Sequence, residues 1–170
     1  MRKILITYYS RTGLTSAVAD EIANACDADL EPIRDIKNGF SGRSYLRSVF
    51  ESMLHVDTLI RRVRYAPDDY DLIVIGTPIW CWNIASPVRA YIKSHRHQCT
   101  RVAFFLTCGG AGQRKVFRDM EKLTGQAPIA CLALTDNEIK EEQQHEKIIQ
   151  FTNELKGNNH VEPAKHQILK

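Results

Sequence analysis

The chain has no long apolar run and no paired cysteine motif. The chain has 170 residues, and none of its apolar stretches approaches the roughly 20 residues that a membrane-spanning helix needs. The N-terminal sequence does not have the pattern of a signal peptide. The five cysteines are odd in number and widely spaced, without a CxxC pair. This spacing argues against a zinc site and against a disulfide framework. We therefore expect a cytoplasmic protein without a membrane span or a bound metal.

Strong charge of either sign is also missing. The formal net charge is +3, which is too weak to indicate a nucleic-acid partner. Arg61, Arg62 and Arg64 form a basic cluster that could bind phosphate. A solvated surface is the commoner explanation of such a cluster.

Apolar runs alternate with amphipathic stretches along the chain. The apolar runs lie at residues 3–9, 30–33, 72–75, 102–106 and 129–134. The amphipathic stretches comprise a first helix, with Leu14, Val18, Ile22 and Ala25 on one face, and helical patterns at 86–96, 113–123 and 138–155. The last three strands are apolar on both faces, as a buried parallel sheet requires. The pattern predicts an α/β fold with a doubly wound, five-stranded parallel sheet.

Residues 35–67 are too long for a simple loop. Apolar side chains recur there at helical spacing, at Tyr45, Leu46, Val49, Phe50, Met53 and Leu54. We expect an extra amphipathic helix between strands 2 and 3, which would cover a sheet face or serve as a lid or subunit contact. One domain is expected over residues 1–156, followed by a flexible polar tail at 157–170.

A hydroxyl-rich loop joins the first strand to the first helix. It contains Ser10, Arg11, Thr12, Gly13, Leu14 and Thr15. Its hydroxyls and the amides at the start of a helix attract anions, and a glycine permits close approach of the backbone. No lysine of the Walker type follows, so the loop suits one phosphate monoester rather than a nucleoside triphosphate. The alternative is a cluster that only caps the helix.

Two further loops are expected beside it, because ligands of open α/β sheets bind beyond the carboxyl ends of the strands. One contains Pro78, Ile79, Trp80, Cys81, Trp82 and Asn83, and the other contains Thr107, Cys108, Gly109, Gly110 and Gly112. The chain's two tryptophans lie in the former and suit stacking on a flat ring. A phosphate at one end and a planar heteroaromatic ring at the other describe flavin mononucleotide, FMN.

The segment ITYYSRTGLTSAVADEI resembles the first loop of the flavodoxin family, in Tyr8, Ser10, Gly13 and Thr15 among others. Thr7 departs from the larger apolar residue usual there. Together with the other two loops, the resemblance covers about residues 2–155 and implies the sheet order 2-1-3-4-5. It also implies FMN as cofactor, with the phosphate on residues 10–15 and the isoalloxazine between residues 78–83 and 107–112.

The resemblance leaves an enzyme and a carrier open. Carrier flavodoxins are acidic, and a glycine after their third strand lets a peptide flip beside the flavin N5 on reduction. This chain is basic and has Cys81 and Trp82 there, where a positive φ would cost about 1–2 kcal/mol. Arg114 and Lys115 would favour an anionic, fully reduced flavin.

We therefore expect an FMN-dependent oxidoreductase that moves two electrons from NAD(P)H to a quinone-like acceptor, with no side chain singled out as catalytic. The alternative is a one-electron flavodoxin that serves a redox partner protein. The sequence leaves open whether the protein forms a homodimer.

A remoter alternative rests on a short spacing. Cys108 and Arg114 form a C-x5-R motif between a strand and a helix, as in cysteine-dependent phosphatases. That hypothesis leaves the hydroxyl-rich loop and both tryptophans unexplained.

Overall fold

The computed structural model describes residues 2–36 and 58–157. The strands are β1 (Ile4–Tyr8), β2 (Asp29–Pro32), β3 (Leu72–Trp80), β4 (Asn83–Ile84), β5 (Val102–Cys108) and β6 (Cys131–Thr135). Five of them pair in parallel in the order β2-β1-β3-β5-β6, and β4 pairs antiparallel with the end of β3. The predicted five-stranded parallel sheet and its order are confirmed, with the two-residue β4 as an addition.

Helices cover both faces of this sheet. They are α1 (Leu14–Cys26), α2 (Ser86–His95), α3 (Gln113–Thr124), α4 (Asp136–Lys140) and α5 (His145–Lys156), with a short 3-10 turn at Pro67–Asp69. α1 and α5 contribute to the core on one face, and α2 and α3 to the core on the other. Each crossover helix returns the chain to the end of the sheet at which the strands begin, as parallel pairing requires.

The buried face of α1 differs from the prediction. Val18 and Ile22 are buried as expected, but Ala25 is exposed. Ala19 and Ala23 lie against the core instead, because their small side chains let the helix approach the sheet closely. The apolar stripe is therefore rotated from the one that the large residues alone indicate.

The single helix predicted at 138–155 is two helices. A capping box begins α4, in which the Thr135 amide donates to Glu138 Oε2 and the Glu138 amide donates to Thr135 Oγ1. Hydrogen bonds from Lys147 and Thr135 hold the pKa of Glu138 at about 2. Glu142, at φ 55°, interrupts the helical path before α5. Neither proline nor glycine occurs at this break, so the sequence does not predict it.

Two predictions fall on residues that the structure does not describe. The amphipathic helix expected around residues 45–54 lies outside the described residues, as does the tail beyond Gly157. Among the residues described, no helix has the length and apolarity to cross a bilayer. Within the same ranges, no group of His, Cys, Asp or Glu could hold a metal ion.

The centre of the sheet contains one close approach between strands. Gly76 of β3 pairs with Phe105 of β5, and a Cβ on Gly76 would lie 2.0 Å from Phe105 Cζ. The fully buried aromatic ring thus occupies the space above the glycine. Only glycine fits this position without displacement of the ring.

We predict that Gly76→Ala lowers the free energy of unfolding by about 1–3 kcal/mol, because Phe105 must leave its rotamer in a packed core. Urea unfolding of the cofactor-free protein measures the loss. Gly109→Ala is the matched control, since nothing lies within 4 Å of a Cβ there. Equal stability of both variants would contradict the packing argument.

Candidate functional site

Three loops meet at the carboxyl edge of the sheet. The first loop (residues 10–15) follows β1, the second loop (residues 78–83) includes the end of β3, and the third loop (residues 107–112) begins at the end of β5. β1, β3 and β5 are neighbours in the sheet. The structure therefore brings the three predicted groups of residues together at the carboxyl ends of these strands, a region that we call the rim.

Direct contacts connect these loops. Thr15 Oγ1 and Thr107 Oγ1 lie 2.8 Å apart, in a buried hydrogen bond between the first and third loops. Tyr9 meets Trp80 edge to face, with ring centroids 5.5 Å apart, which connects the base of the first loop to the second. A Cβ on Gly112 would lie 2.7 Å from Trp82 Cδ1, so the second and third loops also touch.

The first loop presents backbone amides more than side chains. Gly13 caps α1 at φ 94°, and its amide donates to Ser10 Oγ over 3.2 Å. Thr12 is exposed, but Thr15 is buried and its hydroxyl already pairs with Thr107. Of the three predicted hydroxyl donors, Ser10 and Thr12 are thus the ones that a ligand can reach.

Three of the helices that begin at the rim lack side-chain caps. α1, α2 and α3 begin after Gly13, Ala85 and Gly112, and none of these residues makes a side-chain capping bond. α4 begins at the same rim, because its N-cap Thr135 pairs with Cys108, and it has a complete capping box. The first amides of a helix need an acceptor, and an anion at the N-terminus can supply one. The uncapped amides at the starts of α1, α2 and α3 can therefore supply donors to a ligand at the rim.

The second loop is tighter than expected. β3 runs on to Trp80 and pairs with β4, so that only Cys81 and Trp82 lie between the paired strands. Both residues have positive φ, at 46° and 60°. A two-residue hairpin requires this mirror-image turn, because it matches the twist of the strands. Cys81 and Trp82 therefore both adopt the positive φ that is energetically unfavourable for residues other than glycine.

Polar contacts hold this turn in place. Asn83 Nδ2 donates to the Cys81 carbonyl over 2.8 Å. Lys115 Nζ, from α3, donates to the Trp82 carbonyl over 3.2 Å and to Asn83 Oδ1 over 2.9 Å. Asp119 lies 2.7 Å from the same ammonium group. Both carbonyls of the strained turn thus have partners, and the charge of Lys115 is partly balanced by Asp119.

The two tryptophans differ in availability. Trp80 packs partly against the core and against Tyr9, whereas Trp82 is 63% exposed. Trp82 and the glycines of the third loop, of which Gly110 and Gly112 have positive φ, line an open region of the rim. The expectation that both indoles are free to stack on a ring thus fits Trp82 better than Trp80.

Cys108 does not resemble a nucleophile. Its thiol is 3% exposed, and Gln113 Nε2 donates to its sulfur over 3.2 Å. A phosphatase cysteine must reach phosphorus at the protein surface. The burial of Cys108 disfavours the C-x5-R hypothesis.

Tyr9 and Asp119 also contribute to the site, although no sequence motif marks either residue. Tyr9 joins two loops, and Asp119 orients Lys115. The i,i+4 spacing of Lys115 and Asp119 was a readable signal, because such pairs share a helix face. The contact between Tyr9 and Trp80 could not be predicted from the sequence, since it joins distant parts of the chain.

We predict that Cys81→Gly raises the free energy of unfolding by about 1 kcal/mol, because glycine adopts positive φ without the steric cost. Urea unfolding of the cofactor-free protein checks this. Cys131→Gly, at an exposed cysteine in β6, is the control and should lose stability instead. A loss of similar size in both variants would show that the turn is not strained.

Comparison with solved structures shows a shared fold. An FMN complex of a flavoprotein from Lactobacillus acidophilus NCFM has 23% identity and a TM-score of 0.66, over 83% of this chain and 98% of that chain. A protein from Bacteroides eggerthii DSM 20697, described provisionally as a flavoprotein, has 24% identity and a TM-score of 0.70, over 89% and 98%. Oxidised flavodoxin 1 from Bacillus cereus has 17% identity and a TM-score of 0.55, over 94% and 99%.

Sequence comparison gives the family directly. A search of curated proteins finds no match. The family model Flavodoxin_4, described as flavodoxin, matches residues 3–150. That range includes all three loops of the rim and most of the chain, and it confirms the predicted resemblance. This protein therefore belongs to the flavodoxin family.

Proposed function

We propose that this protein is an FMN-dependent oxidoreductase that transfers two electrons from NAD(P)H to a quinone or similar acceptor. FMN is the cofactor. The observation that carries the two-electron part is the strained turn at Cys81 and Trp82, whose two carbonyls already have hydrogen-bond partners. A cytoplasmic location, where NAD(P)H is available, is part of the proposal.

The residues of the rim fit FMN. The uncapped start of α1, with Ser10 and Thr12, supplies donors for a phosphate dianion. The exposed indole of Trp82 supplies a flat apolar surface, and the third loop supplies backbone amides for the polar edge of a ring. Residues 10–15 would hold the phosphate, and residues 78–83 and 107–112 would hold the isoalloxazine.

Bound FMN supplies the capacity to accept and to release a hydride. In the net reaction, NAD(P)H loses a hydride, and the quinone gains two electrons and two protons, one of them from solvent. The protein's own part is to hold the ring and its surroundings. We assign no side chain as an acid or base.

The turn supports two-electron rather than one-electron chemistry. A peptide flip beside the flavin N5 would have to break the bond from Asn83 to the Cys81 carbonyl or the bond from Lys115 to the Trp82 carbonyl. Each break leaves a polar group without its partner, at a net cost of about 1 kcal/mol. The mildly basic chain also lacks the acidic character of carrier flavodoxins. A one-electron carrier is the alternative.

The FMN assignment has a direct test. Thr12→Asp places a carboxylate among the phosphate donors, so we predict that the Kd for FMN rises at least about tenfold through like-charge repulsion. The Kd for riboflavin, which has no phosphate, stays unchanged. Both are measured by quenching of flavin fluorescence. Thr100→Asp, at an exposed threonine before β5, is the control.

Equal weakening of FMN and riboflavin by Thr12→Asp would contradict the assignment of the phosphate to the first loop. Failure of the unaltered protein to bind FMN would overturn the proposed function as a whole.

The electron count is tested separately, by anaerobic reduction of the FMN-loaded protein with NADH or NADPH in a stopped-flow spectrometer. We predict rapid bleaching without accumulation of one-electron-reduced flavin, and reoxidation by a soluble quinone. Lys115→Met frees the Trp82 carbonyl, so its one-electron-reduced fraction in a reductive titration should rise. Lys122→Met, at an exposed lysine of the same helix, should leave that fraction unchanged.

Accumulation of one-electron-reduced flavin as the main species of the unaltered protein would instead support the carrier. Inertness toward both nicotinamide nucleotides would do the same.

A further inference from the structure

A second cavity lies away from the rim. It is an open pocket of about 320 Å³, lined by residues 60–67 on one side and by Ser94, His95 and Gln98 on the other. This volume is at the lower end of the range for small-molecule sites. The ten residues of α2 separate Ser94 and His95 from the rim, where that helix begins, by about 15 Å. The cavity is therefore distinct from the proposed FMN site.

Three guanidinium groups belong to the lining of this cavity. Arg61, Arg62 and Arg64 are all exposed. Within residues 2–36 and 58–157, none of them forms an ion pair. Arg64 lies over the ring of Tyr65, 5.0 Å from its centroid. Three like charges in one short segment repel each other, so an anion between them would be stabilised.

Nearby carboxylates are already engaged elsewhere. Glu31 Oε2 accepts the backbone amides of Arg64 and Tyr65, over 2.9 and 3.1 Å. Asp68 Oδ1 accepts from Gln98 Nε2 over 3.3 Å. These acids position the walls of the cavity, and neither of them forms an ion pair with Arg61, Arg62 or Arg64 in the described part of the chain.

The cavity wall is held firmly. The Arg61 amide donates to the Arg34 carbonyl over 2.7 Å, and Val63 and Tyr65 pack against the core. The segment thus has apolar side chains against the core and exposed arginines on the outside. A fixed backbone reduces the entropy lost when a ligand is bound.

His95 is also oriented in advance. Its ring stacks on Tyr91, with centroids 4.5 Å apart, and its Nδ1 lies 3.0 Å from the Tyr91 carbonyl. Because a carbonyl only accepts, Nδ1 carries a proton, and Nε2 is the nitrogen left for another partner.

We propose that this cavity binds the phosphomonoester group of a small organic molecule. Guanidinium groups bind phosphate oxygens in bidentate pairs, and three of them are within one segment of four residues. Val63, Ala66 and Pro67 supply an apolar wall for the organic part. The site uses none of the residues assigned to FMN, and its lining does not depend on whether NAD(P)H is the electron donor.

The test is isothermal titration calorimetry on the FMN-saturated protein, whose first loop is then occupied by the FMN phosphate. Two probes distinguish the source of the phosphate, namely phenyl phosphate for a free phosphorylated metabolite and 2′,5′-ADP for the 2′-phosphate of a dinucleotide. We expect one of them to bind with a Kd below about 1 mM. Benzyl alcohol, which is uncharged, should not bind.

The variants identify the site. Arg61→Ala/Arg64→Ala should raise the Kd of the bound probe at least about tenfold, whereas Arg118→Ala, at an exposed arginine of α3, should leave it unchanged. An unaltered Kd for FMN shows that the double variant is folded. If it does not fold, Arg61→Lys/Arg64→Lys replaces it, since lysine keeps the charge and loses the bidentate geometry.

Absence of binding by both probes up to about 10 mM overturns the proposal. So does binding that the arginine variants leave unchanged, or that Arg118→Ala weakens equally.

Discussion

Parallel pairing of β1, β3 and β5 is the constraint on which the rest of this structure depends. Adjacent parallel strands end at the same edge, so the chain must turn three times within a small region. The turns lead into α1, α2 and α3, and the first amides of those helices have no intrahelical acceptor. The site thus follows from topology before any side chain is considered. The contacts from Thr15 to Thr107 and from Tyr9 to Trp80 then fix how close the loops lie.

Much of this architecture could be predicted from the sequence, for a physical reason. Strands buried on both faces have continuous apolar runs, and the loops between them stand out by polarity and glycine content. The first, second and third loops were therefore placed at one rim correctly. The helix break near Glu142 could not be predicted, because the positive φ of Glu142 and the hydrogen bond from the Gln143 amide to the Glu138 carbonyl end α4 without a proline or glycine. The identity of the ligand contacts remains a prediction.

The turn at Cys81 and Trp82 could not be predicted from the sequence either, for a different physical reason. Two-residue hairpins of this type favour Asn-Gly or Asp-Gly, and the dipeptide Cys-Trp does not predict such a turn. Pairing of β3 with β4 imposes the turn, and the hydrogen bonds from Asn83 and Lys115 hold it. Sequences depart from local preference mainly at functional or strained sites, where the surroundings determine the conformation. The departure here lies on the same rim as the uncapped helices.

The two ends of α2 explain why the two proposed anion sites use different donors. Its N-terminus lies at the rim, where helix dipoles and free amides attract a phosphate, so glycine, serine and threonine suffice there. Its C-terminus, with Lys93 and His95 in the last turn, borders the second cavity. The dipole at that end repels an anion, and the free groups are carbonyls. Attraction for an anion at that end must therefore come from side chains, and the exposed guanidinium groups of Arg61, Arg62 and Arg64 are suited to supply it.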